Sequence, residues 1–212
     1  MRLRNIPGAE ETIENSQYVI NNPEYYKGTW NEVFKNSNPI FIEIGMGKGQ
    51  FITTLARENP QINYLGIEKY PSVMLRAIQK IQDEDIPNLF FILTDAKLLP
   101  DVFGIEEIDK IYLNFSDPWP KERHAKRRLP SKEFLSRYDK FLKGKGTIEF
   151  KTDNKGLFNF AVEQMEEAHW KINKITYDLH NDQEMVQGNV MTEYEAKFSA
   201  IGNPIHKYII WR

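Results

Sequence analysis

Residues 114–128, NFSDPWPKERHAKRR, place a carboxylate, a flat aromatic and a cationic run within fifteen positions. Asp117 stands between Ser116 and Pro118, and Trp119 between Pro118 and Pro120. Five basic residues follow: Lys121, Arg123, Lys126, Arg127 and Arg128. The prolines stiffen the backbone, so an acid placed there is held without an ordering penalty when a ligand arrives. Charge runs usually form a solvated face; adjacency to a rigidly held acid points here to an arm that grips phosphates. A second constellation, Glu43-Ile44-Gly45-Met46-Gly47-Lys48-Gly49, lies upstream. Glycines at alternate positions let the backbone approach a ligand and turn directly into a helix. The spacing is GxGxG rather than the dinucleotide GxGxxG, so the turn is informative only with its neighbours. Glu68 follows Gly45 by 23 residues, near the place where nucleoside-binding sheets put an acid on ribose hydroxyls. Asp95 is a third acid, in Thr94-Asp95-Ala96.

These residues need elements to position them. Short apolar runs at 40–45, 62–68, 89–93, 108–115 and 146–151 predict five strands. Between them, helical periodicity predicts helices over 49–59, through Val73 to Ile81, and from near Ser131 to Gly144. Another helix is expected over 154–168, then two late strands in WKINKITYDL and HKYIIWR, joined by a long segment, 180–205. Residues 1–38 are polar with scattered aromatics and are expected to form an extension with one short helix near Trp30; residues 39–212 form the main domain. The fold class is therefore α/β: a mostly parallel, doubly wound sheet with helices on both faces. In such sheets ligands sit beyond the carboxyl ends of the strands. Glu43, Glu68 and Asp95 fall at three successive ends, where they would converge on one crevice, and Asp117 falls at the fourth. Several acids without a phosphate-loop lysine-serine pair argue against a triphosphate. They favour a ligand carrying ribose, adenine and a cationic group, and S-adenosyl-L-methionine has all three.

Composition narrows the classes. The chain has 212 residues and a net charge of −2, so affinity for nucleic acid must come from a local patch. There is no cysteine, which excludes disulfides, zinc–thiolate sites and thiol nucleophiles. The four histidines (His124, His169, His180, His206) lack metal-ligand spacing, and no metal is expected. No run reaches membrane-spanning length and the start lacks a signal-peptide core, so a cytoplasmic protein with no membrane partner is expected.

With these motifs in place, the chain resembles the bacterial tRNA (guanine-N7)-methyltransferase (TrmB) family from end to end. MRLRN, EIGMGKGQF, YLNFSDPWPKERHAKRRL, FKTDN and GNVMTEYEAKF follow that family's motifs in its order. The SDPWPK and TEYE stretches are the most specific, and the departures, Met46 and Pro130, are small. The resemblance implies a Rossmann-like class I methyltransferase fold, S-adenosylmethionine as methyl donor, and 7-methylguanosine formed at a variable-loop guanine of tRNA (position 46 in tRNA numbering). Carried over by motif, Glu43, Gly45, Gly47, Glu68, Asp95 and Asp117 would bind the cofactor or flank its methyl group, with Asp117 catalytic. Lys121, Asp153, Thr192, Glu193, Tyr194 and Glu195 would contact the substrate. Arg123, His124, Ala125, Lys126, Arg127 and Arg128 would contact RNA. The oligomeric state is expected to be monomer or homodimer.

Elementary chemistry agrees with that implication. Guanine N7 carries a free lone pair, and attack on a sulfonium methyl moves positive charge onto the purine. A carboxylate beside the ring can orient the base and stabilise that charge without abstracting a proton. Two rivals stand beside this reading. An amino-methyltransferase would carry a D/N-P-P-aromatic loop at the same strand end, one step from Asp117-Pro118-Trp119-Pro120. A non-enzymatic RNA-binding domain on the same fold would show a damaged glycine turn or missing acids, and this sequence has neither.

Overall fold

The apolar, β-branched runs become strands: β1 Ile40–Ile44, β2 Asn63–Glu68, β3 Leu89–Leu93, β4 Ile108–Asn114, β5 Leu142–Thr152, β6 Lys171–Thr176 and β7 His206–Trp211. In the computed structural model, which describes residues 6–212, they form a seven-stranded sheet in the order β3-β2-β1-β4-β5-β7-β6. The MRLRN motif lies outside the described residues. The helices are α1 Ala9–Glu14, α2 Trp30–Phe34, α3 Gln50–Glu58, α4 Pro71–Ile81, α5 Leu99–Val102, α6 Lys132–Tyr138, α7 Lys155–Glu167 and α8 Glu193–Ser199. The expected α/β, mostly parallel sheet is thus the observed one, and the chain divides into two compact units, Met1–Gly104 and Ile105–Arg212.

In Met1–Gly104, β1, β2 and β3 pair in parallel, with Glu43 opposite Gly66 and Glu68 opposite Leu93. Ile52 of α3 and Met74 and Ile78 of α4 are buried with Phe91 of β3 in one apolar cluster. That cluster takes in Ile13, on a helix that the sequence did not reveal, and Tyr18. Val19 bridges to Phe91 in parallel, and the Tyr18 hydroxyl donates to the Glu84 carbonyl, so this segment lies against the edge strand. The helix expected near Trp30 is α2; Trp30 is fully buried and its indole N–H donates to the Val102 carbonyl at 3.0 Å.

In Ile105–Arg212, β4 and β5 are parallel, while β7 runs antiparallel to both β5 and β6. Phe150, Phe158 and Tyr208 form its aromatic centre, with ring centroids 5.3–6.2 Å apart. The helix expected to reach Gly144 ends instead at Tyr138, and Gly144 lies within β5. Its last turn tightens to Lys140 N–H→Arg137 and Phe141 N–H→Tyr138 bonds, and the Phe141 carbonyl turns to accept from Glu107 and Ile108. Pairing with β4 overrides helical propensity there. The long segment 180–205 contains α8, whose first turn is capped by the Thr192 hydroxyl accepting from Glu195 N–H at 2.9 Å.

Candidate active site

In the first unit the site is built from backbone. Gly45, Gly47 and Gly49 have φ of 78°, 59° and 72°, the left-handed region that L side chains rarely adopt. They turn β1 directly into α3, and the amides of Gly45 and Met46 donate to the Ile67 carbonyl at 2.8 and 3.0 Å. Glu68, at the end of β2 and 6% exposed, accepts from Gly47 N–H at 3.1 Å, Lys69 N–H at 2.8 Å and Tyr70 N–H at 3.0 Å. One carboxylate thereby ties the glycine turn to the entry of α4. Glu43 is buried one residue before the end of β1. Asp95 caps the short 3-10 turn Ala96–Leu98 and pairs with the Lys69 ammonium at 2.7 Å. Burial pushes the Asp95 carboxyl up, but Lys69 and the Lys97 N–H outweigh it and hold it below its ordinary value. All three acids expected at these strand ends lie along the carboxyl edge of β1, β2 and β3.

In the second unit the site is built from side chains. Asp117 is exposed, three residues beyond β4, and its loop leaves the strand through Phe115, whose N–H donates to the Lys151 carbonyl at 2.8 Å. Phe115 and Trp119 both have positive φ, 48° and 41°. Trp119 is half-buried, its indole edge-on to His124 at 5.6 Å and covered by the Arg127 guanidinium at 5.1 Å. Lys121, Arg123 and Lys126 are exposed on or beside the 3-10 turn Glu122–Arg127, which carries Ala125 half-buried. Tyr194, 42% exposed, stacks on Phe198 at 4.1 Å and meets Phe115 at 4.9 Å. Its hydroxyl donates to Asp153 at 3.5 Å, and burial together with the Asp153 charge raises its pKa. Thr192 and Glu193 lie at the start of the same helix.

Two of the expected contact residues are engaged within the protein itself. Glu195, expected on the substrate, is fully buried: it pairs with the Lys151 ammonium at 2.6 Å and accepts from Asn189 at 2.8 Å. Lys151 also donates to Asn189 at 3.1 Å and to the Val190 carbonyl at 2.9 Å, so the pair anchors the 189–195 segment to the end of β5. A substrate cannot reach that carboxylate without breaking the pair. Arg128, expected on RNA, is folded back onto its own loop, donating to the Pro118 and Trp119 carbonyls at 2.9 and 3.0 Å. Asn189 and the anchoring role of Lys151 were not foreseen; a lysine inside an otherwise buried strand, EFKT, is the signal that could have revealed the latter. Among the described residues no group of three or more His, Cys, Asp or Glu could hold a metal ion. None of their helices is long and apolar enough to cross a membrane.

This seven-stranded, mostly parallel sheet, with glycines and acids at its carboxyl edge, has the class I, Rossmann-like methyltransferase fold. The solved structure of an antibiotic-related methyltransferase shares this fold, with a TM-score of 0.63 at 19% identity over 86% of this chain and 92% of the other. A family model described as a putative methyltransferase matches residues 37–208. The chain belongs to the tRNA (guanine-N7)-methyltransferase family. It is 58% identical to the tRNA (guanine-N(7)-)-methyltransferase of Lachnoclostridium phytofermentans over 100% of this chain and 99% of that one. It is 48% identical to the Bacillus subtilis protein of the same name over the whole of both chains.

Proposed function

We propose that this protein methylates N7 of a tRNA guanine, the variable-loop guanine at position 46, with S-adenosylmethionine as donor. The observation that carries the reading is Asp117: an exposed carboxylate on a proline-stiffened loop, beside exposed cations, in a chain of this family. The donor fits the first unit. A Cβ on Gly45 or Gly47 would meet nothing within 4 Å, so open space adjoins the turn, and the acids alongside suit hydroxyls and a cation. Glu43, Gly45, Gly47, Glu68 and Asp95 would hold this cofactor, which when bound supplies an electrophilic methyl group.

Asp117 orients the guanine and stabilises the positive charge that develops on its ring, and no residue has to remove a proton because N7 has a free lone pair. Asp153, Thr192, Glu193 and Tyr194 sit beside the acceptor base, while Lys121, Arg123 and Lys126 meet phosphates. His124 and Arg127 act at the same RNA face through Trp119. Residues 1–38 serve as an extension of a methyltransferase domain over 39–212, and a tRNA substrate places the protein in the cytoplasm.

The decisive substrate is a tRNA carrying 7-deazaguanine at the variable-loop site, which keeps the Watson–Crick edge and lacks only the N7 lone pair. It should bind and remain unmethylated. Methyl transfer to it at the usual rate would assign the activity to an exocyclic nitrogen. On ordinary tRNA, Asp117→Asn should keep the fold and lose roughly two to three orders of magnitude in rate.

A further inference from the structure

The SDPWP loop needs restraint that its own backbone cannot supply. Pro118 and Pro120 have no N–H, and Phe115 and Trp119 on either side of Asp117 hold positive φ, where bulky side chains are strained. Such a conformation persists only where the surroundings over-determine it. Arg128 provides that surrounding. Its Nε donates to the Pro118 carbonyl at 2.9 Å and its terminal nitrogen to the Trp119 carbonyl at 3.0 Å. The face of the guanidinium lies over the Phe160 ring of α7, 4.3 Å from the centroid. A planar fork matched to two successive carbonyls and backed by an aromatic ring is a geometry that lysine cannot reproduce.

We infer that Arg128 is a positioning residue: it clamps the two peptide carbonyls directly after Asp117 and, with Phe160 behind it, fixes where that carboxylate stands, instead of gripping RNA. The inference rests on the reading of Asp117 as the group that meets the acceptor base. It divides the basic run by task. Lys121, Arg123, Lys126 and Arg127 are exposed, whereas Arg128 is half-buried and turned inward.

Lysine and alanine at this position separate the clamp from a phosphate contact, because lysine keeps the charge and loses the fork. Hydrogen exchange of the free protein over residues 113–121 should show faster exchange at Ser116, Asp117 and Trp119 in both Arg128→Lys and Arg128→Ala. With saturating tRNA, kcat should fall on the order of 10- to 100-fold in both, the scale of a misplaced reacting group. The salt dependence of tRNA affinity should keep its slope in both, whereas Lys126→Ala should reduce that slope by about one. Wild-type exchange and kcat in Arg128→Lys, with a flattened slope in Arg128→Ala, would make Arg128 a phosphate contact and overturn the inference. If Arg128→Ala does not fold, Phe160→Leu keeps the arginine and removes its backing ring, and unchanged loop exchange in that variant would equally overturn it. Failure of the functional reading looks different: the wild type would produce no 7-methylguanosine, while loop exchange would still rise in the Arg128 variants.

Discussion

The carboxyl edges of the two units hold their acids by opposite means. In Met1–Gly104, Glu68 is clasped by three backbone amides and the turn beside it consists of positive-φ glycines, so main chain does the positioning. In Ile105–Arg212, the Asp117 loop is held by the Arg128 fork, and the 189–195 segment by a buried Lys151–Glu195 pair. A backbone-built edge suits a ligand that needs close approach, and it is sensitive to any added Cβ. A side-chain-built edge can carry charges outward toward a polyanion, and it depends on buried pairs that one substitution breaks.

The largest expected effect therefore lies in the second unit. Burial drives the Lys151 ammonium below the ordinary lysine pKa, and the Glu195 charge opposes that shift. Glu195→Ala leaves the charge buried without its counter-ion and should lower unfolding free energy by about 3–5 kcal/mol, read from denaturant midpoints. Pairing Lys151→Met with Glu195→Leu should recover most of that stability while methyl transfer stays low, since Asn189 and Val190 lose their anchor. A double variant as unstable as the single one would show that the pair does more than neutralise charge.

A smaller effect is expected in the first unit. A Cβ at Gly49 would sit 2.9 Å from the Ala77 Cβ, on a backbone with φ of 72°. Gly49→Ala should cost about 1–3 kcal/mol by overpacking and strain, with Tm reporting it. Lys48→Ala, at the exposed position just before it, should change stability by no more than about 0.5 kcal/mol. Equal effects at the two positions would contradict a backbone-built turn.

The smallest effect concerns Asp95. A carboxyl held below its ordinary value of 3.8 adds stability that is complete above that value and lost as pH falls through the depressed one. The stability difference between wild type and Asp95→Asn should be flat above about pH 5 and shrink under stronger acid. With the pair largely solvated, its size should stay within about 1 kcal/mol. A difference that grows on acidification would reverse the assignment.

Much of this molecule was legible from residue order alone. β3 begins and ends where the LFFIL run does, because a short apolar run bounded by polar residues has few other ways to be buried. Alternate glycines after β1 announced a turn of unusual φ, since only glycine occupies those angles without strain. The acids at the strand ends followed from sheet topology. The helix expected to reach Gly144 failed because its last residues find β4, which lies about thirty residues earlier in the chain. Side-chain direction was the deeper gap. In sequence, Arg127 and Arg128 are equivalent cations, and Glu193 and Glu195 equivalent acids. Tertiary structure alone turned Arg128 onto the Pro118 and Trp119 carbonyls and buried Glu195 against Lys151, 44 positions away. The physical reason is that a charge must be paired once it leaves water, and the partner available to it is set by the fold, not by its neighbours in the chain.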